Sequence, residues 1–166
     1  MAGSFPPDVL VFDNDALLFA RLGKSRRGID VLQARAYRLP SDALAAGVLS
    51  PSIENETAIA ETVRRVKRDA GRIDGVSLLL PDSWFRIHIL EVQDLPDSRG
   101  EADEVIRWAL KRSLPIRPEE LRIAYQPVGR TTTSVRVLVI AALEKTLATF
   151  EKICAALPSS STLPAY

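Results

Sequence analysis

Val9-Leu10-Val11-Phe12, Asp13-Asn14-Asp15, Leu17 to Leu22, Gly23-Lys24-Ser25-Arg26-Arg27-Gly28 and Ile29 to Ala36 run almost without a break near the start of the chain. The first block is a continuous apolar run, as expected of a strand buried on both faces. Asp13-Asn14-Asp15 is turn chemistry, because short Asp and Asn side chains bond to nearby backbone. Leu17 to Leu22 resumes a strand, residues 23–28 form a polar turn, and Ile29 to Ala36 completes a three-stranded antiparallel meander. Before it, Gly3, Pro6 and Pro7 mark residues 1–7 as a loose leader.

Beyond the meander, Pro40 to Pro51 reads as a crossing segment. A helix follows, with Asn55 as cap, Ile59, Val63 and Val66 as its apolar stripe, and Gly71 as its end. Val76-Ser77-Leu78-Leu79-Leu80 is another buried strand, stopped by Pro81. Strand, strand, strand, helix, strand is the opening order of the ribonuclease H and actin type of fold. A second unit starts near Trp84. Phe85, Ile87 and Ile89 alternate with Arg86, His88 and Leu90, which predicts a half-buried strand with His88 on its solvent side. Ser98 and Glu101 fit a capping box, ahead of a helix that buries Ala102, Val105, Ile106, Ala109 and Leu110. Pro115 and Pro118 close it. Leu121, Ile123 and Tyr125 share one face of the next strand, Val135 to Ala142 reads as a central strand, and Leu147, Phe150, Cys154 and Leu157 mark a last helix. The predicted class is α+β. Residues 1–82 form an incomplete ribonuclease H-like lobe and residues 83–157 a small strand-helix-strand-strand-helix insert. Residues 158–166 form a tail or the start of a returning strand.

Composition narrows the function. In 166 residues, 46% hydrophobic content supplies a core for one domain or two small subdomains. Lys and Arg number 22 against 21 acids, a formal charge of +1, so no electrostatic footprint for nucleic acid or an anionic membrane is present. The apolar runs are too short to span a bilayer. A single cysteine allows no internal disulfide, and with no signal peptide in view the expected compartment is reducing.

No complete catalytic constellation emerges. Gly23-Lys24-Ser25 lacks the earlier glycine of a phosphate-binding loop, having Leu18 there, and leads into a strand where that loop needs a helix. His88, the only histidine, has no orienting acid or nucleophile beside it in sequence. Cys154 lies on an apolar stripe and reads as a small hydrophobe. Asp94, Asp97, Glu101, Asp103 and Glu104 surround a helix start, where they suit the helix dipole; no metal site is assigned. Trp84 and Trp108 stand apart. Trp108, among Glu101, Glu104, Lys111 and Arg112, lies off the apolar stripe of its helix. Such a ring is covered by a neighbouring subdomain or reserved for a partner, and the first reading is preferred.

Several segments in order resemble the PilM family, actin-like proteins of type IV pilus assembly related to GspL and FtsA-like actin folds. Asp42-Ala43-Leu44-Ala45-Ala46-Gly47-Val48-Leu49 is similar to the family's Gly-Val-Ile crossing, and Ser77 to Ser83 to its strand and Pro-x-Ser turn. Glu104 to Leu110, Leu114-Pro115-Ile116 and Ala124-Tyr125-Gln126 resemble its Ile-Arg-Trp helix, Ile-Pro-Phe turn and Asp-Tyr-Gln strand. The resemblance implies a cytoplasmic scaffold at the inner face of the inner membrane. It would bind the short cytoplasmic tail of a PilN-like inner-membrane protein in a groove at the junction of the two subdomains, with Trp84, Arg86 and Trp108 as candidate contacts. Homo-oligomerisation is left open. The alternatives are a fragment of an actin-fold ATPase and of a GspL-like type II secretion protein. Actin-like proteins hold nucleotide phosphate on an Asp-x-Gly hairpin with a lysine; here Asp13 is followed by Asp15 in place of the glycine, and Leu17 and Leu18 occupy the lysine region. A second carboxylate repels phosphate. No cofactor is expected, ATP entering only if a second lobe completes the site.

Overall fold

The computed structural model describes residues 5–26, 28–45, 52–114 and 116–155. Residues 46–49 of the crossing motif, Pro115, Leu157 and residues 158–166 lie outside them. The described chain is α+β and divides into two units. The first runs through Trp84 and resumes at Ala148; the second is Phe85–Leu147.

In the first unit, β1 (Asp8–Phe12), β2 (Ala16–Ser25) and β3 (Gly28–Arg38) form the antiparallel meander that the sequence predicts. Two short strands, β4 (Leu44–Ala45) and β5 (Ser52–Ile53), pair with each other. Helix α1 (Glu56–Ala70) follows, and β6 (Val76–Leu79) pairs parallel to β1, giving the sheet order β3-β2-β1-β6. Both ends of α1 are fixed locally. The Asn55 side chain accepts the Ala58 N–H at 3.0 Å, and Gly71, at φ 74°, turns the chain out of the helix. The core contains Leu10, Phe12, Leu17 and Phe19 from the sheet and Ile59, Val63 and Val66 from the helix, each at most 2% exposed.

One expectation for β1 needs correcting. Within the apolar run only Leu10 and Phe12 are buried; Val9 and Val11 are half-buried. The register places Val11 in one row with Leu18 and Leu79, and both of those leucines are exposed. The apolar run therefore has one closed face and one that the described residues cover only in part.

The second unit holds β7 (Arg86–Val92), α2 (Arg99–Lys111), β8 (Leu121–Arg130) and β9 (Val135–Leu143), in a three-stranded antiparallel sheet of order β7-β9-β8. The strand read as central is central. Its core joins Leu90 and Val92 of β7, Ile106 and Leu110 of α2, and Val135, Val137 and Val139 of β9. Ser98 precedes α2 as predicted, but its side chain makes no capping bond; its backbone carbonyl accepts the Ala102 N–H at 2.9 Å.

Helix α3 (Glu144–Ala155) starts in the second unit and ends in the first. The sequence reading gave all of it to the second. The reason for the difference is Phe150, which is fully buried with its ring centroid 4.7 Å from Phe12 and 5.4 Å from Trp84. The same contact carries the first unit to Trp84, two residues past the expected boundary.

At the start of α3, Arg122 donates to Glu144 through Nε to Oε2 at 2.9 Å and Nη2 to Oε1 at 2.6 Å. These bonds hold the Glu144 carboxyl below the usual glutamate range. A depressed carboxyl contributes stability above its unfolded pKa and loses it as pH falls through the folded value. Both side chains are more than a third exposed, so solvent screening limits the contribution to about 0.5 kcal/mol. Urea denaturation of Glu144→Gln is expected to show that deficit at neutral pH and none in acid below the folded value; an equal deficit at both pH values would refute the assignment.

Candidate docking surface

Strand β7 sets the geometry of the most apolar exposed surface of the second unit. Its register with β9 pairs Leu90 with Val137 and Val92 with Val135, all buried under α2. Because successive side chains alternate faces, burying Leu90 and Val92 turns Arg86 and His88 to the covered side and Ile87 and Ile89 outward. Ile87 is 67% exposed and Ile89 61%. This reverses the predicted orientation, in which His88 faced solvent. His88 is half-buried, and its Nε2 is buried with no hydrogen-bond partner.

The outward residues line up across the sheet. Ile87 pairs with Ile140, which pairs with Ala124; Ile89 pairs with Leu138, which pairs with Gln126. Ile140 and Ala124 are exposed and Leu138 is half-buried. The surface is a contiguous apolar row bounded on one side by β7, an edge strand of its sheet. An edge strand offers unpaired backbone groups to another chain. The sequence signal for this face was Val92: reading the alternation one step beyond Leu90 puts two large apolar residues on the same side as His88.

The three residues singled out from sequence have different settings. Trp84 ends a short 3-10 turn, Asp82–Trp84, its N–H donating to the Pro81 carbonyl at 2.9 Å. It is 3% exposed, and its Nε1 is buried without a partner. Arg86 opens β7 and is half-buried, its Nη1 donating to the Phe85 carbonyl at 3.2 Å. Trp108 is 66% exposed on α2, with the Arg112 guanidinium 5.7 Å from its ring centroid. No described subdomain covers it, contrary to the preferred expectation.

Other candidate chemistry is quiet. Cys154 is 6% exposed and burial pushes its thiol up to about 12, so it carries no thiolate at neutral pH. Among the described residues no three His, Cys, Asp or Glu side chains converge on a metal-binding position. At the β1–β2 turn three amides are committed: Asp13 N–H donates to the Ala16 carbonyl at 2.8 Å, Ala16 N–H to the Asp13 carbonyl at 3.4 Å, and Asn14 N–H to Asp13 Oδ1 at 2.8 Å. Asp13 and Asp15 are exposed. No described helix is long and apolar enough to cross a membrane.

No protein-family model matches the chain, and no curated protein does. Solved structures do. A chain of the PilM–PilN type IV pilus biogenesis complex superposes with a TM-score of 0.73 at 19% identity, over 91% of this chain and 45% of that one. The cytoplasmic domain of EpsL, an inner-membrane component of the Vibrio cholerae type II secretion system, gives 0.56 at 10% identity, over 90% of this chain and 52% of that one. This chain thus spans about half the length of the structures it matches. By its fold the chain is PilM-like, and that fold is also similar to the EpsL cytoplasmic domain.

Proposed function

We propose that this chain is a cytoplasmic scaffold of type IV pilus assembly that binds the cytoplasmic tail of a PilN-like inner-membrane protein. The fold likeness supplies the system by analogy, and its greater strength toward the pilus complex favours that reading over a secretion-system one. In this reading the first unit is half of an actin-like lobe and the second is its inserted subdomain. Partners hold the protein at the membrane.

The observation that carries the binding role is the exposed pair Ile87 and Ile89 on edge strand β7. An extended tail can add a strand to such an edge. Its backbone pairs with the outer edge of the strand, and alternate apolar side chains lie beside Ile87 and Ile89. Arg86 stands at the entrance of this strand. Trp84 offers no contact surface, because its ring is buried. Trp108 stands on the helix side of the unit, away from the apolar row.

Nucleotide has no part in the proposal: the β1–β2 turn presents two exposed carboxylates and spends the Asp13, Asn14 and Ala16 amides internally.

Isothermal calorimetry with a synthetic PilN-like tail peptide tests the reading. Binding is expected in the micromolar range, weakened at least about tenfold by Ile89→Asp, which places a charge in the apolar row. Magnesium–ATP is expected to leave the melting temperature unchanged. No heat with peptide at several hundred micromolar, on the order of the weakest useful affinity, overturns the scaffold role. A saturable thermal shift with ATP favours the ATPase alternative.

A further inference from the structure

The solvent stripe of α2 is the second unusual surface. Along it, Glu101, Glu104, Trp108, Lys111 and Arg112 are all exposed, at the spacing that puts them on one side of a helix. The opposite side of α2, through Ile106 and Leu110, packs into the core with β7 and β9. The stripe therefore points away from the apolar row, which lies on the other side of the same sheet.

The order of charge on this stripe matters. The acids precede Trp108 and the bases follow it. In an antiparallel pair of identical helices whose two-fold axis passes at Trp108, the residue four positions before Trp108 in one copy meets the residue four positions after it in the other. Glu104 then faces Arg112, and Glu101 lies one turn further along the same basic end. The two tryptophans meet at the axis. A two-fold contact has to be self-complementary in this way, residue i touching j and j touching i. Parallel stacking would bring Glu to Glu and Arg to Arg and is disfavoured. The Arg112 guanidinium already lies over the Trp108 ring, which holds it on the stripe.

We propose that this stripe is a homodimer interface: α2 of a second copy packs antiparallel on α2, with paired Trp108 rings at the centre and Glu104–Arg112 pairs on both sides. Tryptophan and arginine at the centre of a contact are the residue types that dominate binding energy. A single helix pair buries less than the roughly 1,000 Å² typical of a stable interface, so the dimer is weak and concentration-dependent.

Sedimentation velocity on the whole chain tests it, without any tail peptide, so its outcome is separate from that of the scaffold role. In low salt the wild type is expected to shift from monomer toward dimer between about 20 μM and about 1 mM, and less so at about 0.5 M salt. Glu104→Arg alone makes both cross-pairs repulsive, and Arg112→Glu alone does the same. Each variant is expected to lose at least about tenfold in association, with an unchanged circular dichroism spectrum. Mixing the two variants restores both attractive pairs in a heterodimer, and the double variant E104R/R112E restores the homodimer. Trp108→Ala is expected to stay monomeric throughout. A wild type that is monomeric across the range overturns the proposal. So does a Glu104→Arg variant that associates like the wild type, or a mixture that fails to recover.

Discussion

Phe150→Ala is expected to lower the stability of the chain by about 3–5 kcal/mol and its melting temperature by on the order of 10 °C. Phe150 is fully buried, with ring centroids 4.7 Å from Phe12 and 5.4 Å from Trp84. Truncation removes the apolar transfer energy, leaves a cavity that close-packed neighbours fill only in part, and deletes two tilted aromatic pairs worth about 0.5–1.5 kcal/mol each. It also unties the end of the last helix from the first strand, residues far apart in the chain. Phe150→Leu keeps most of the volume and is expected to lose much less. Thermal denaturation followed by circular dichroism measures both. A shift within about 2 °C for Phe150→Ala would mean that the helix end is not held by this contact.

Asp8→Ala is the second large effect. Asp8 is 4% exposed. Arg21 donates to it twice, Nε to Oδ1 at 2.6 Å and Nη2 to Oδ2 at 3.0 Å, and also to the carbonyls of Ala70 at 3.3 Å and Arg72 at 2.8 Å. One guanidinium thus ties β1 and β2 to the end of α1, and the hydrogen bond to Asp8 raises its pKa above the ordinary arginine value. Removing the carboxylate leaves a charge that is only 28% exposed without its counter-ion. Breaking such a pair typically costs about 3–5 kcal/mol, and the remaining exposure of Arg21 places the expected loss at the lower end, about 3 kcal/mol. Replacing both partners by apolar residues, as in D8V/R21L, is expected to cost less than Asp8→Ala alone, since no orphaned charge remains. Urea denaturation distinguishes the two. A double variant less stable than Asp8→Ala would show that the backbone carbonyls, not the ion pair, carry the effect.

The candidate site was legible only in outline. Trp108 announced itself by standing off the apolar stripe of its helix, and it is exposed. What covers such a ring was not legible, because cover is a property of other segments. Trp84 gave a similar signal and has the opposite fate, buried against Phe150, a residue 66 positions away in sequence. Ile87 and Ile89 were seen as alternating residues, but the face they occupy was assigned the wrong way round.

The sequence by itself determined what depends on neighbours within a turn or a strand. It specified the meander, the α1 helix between Asn55 and Gly71, and the central position of the Val135–Leu143 strand. Apolar period, cap chemistry and the left-handed turn of Gly71 act over a few residues, so they are written locally. The tertiary structure alone decided which face of β7 is inside. Period-two alternation defines two faces without ranking them. In β7 both carry large apolar residues, Ile87 and Ile89 against Leu90 and Val92. The ranking came from the register with β9 and from α2 closing over Leu90 and Val92. Once those two are buried, the alternation forces Ile87 and Ile89 into solvent.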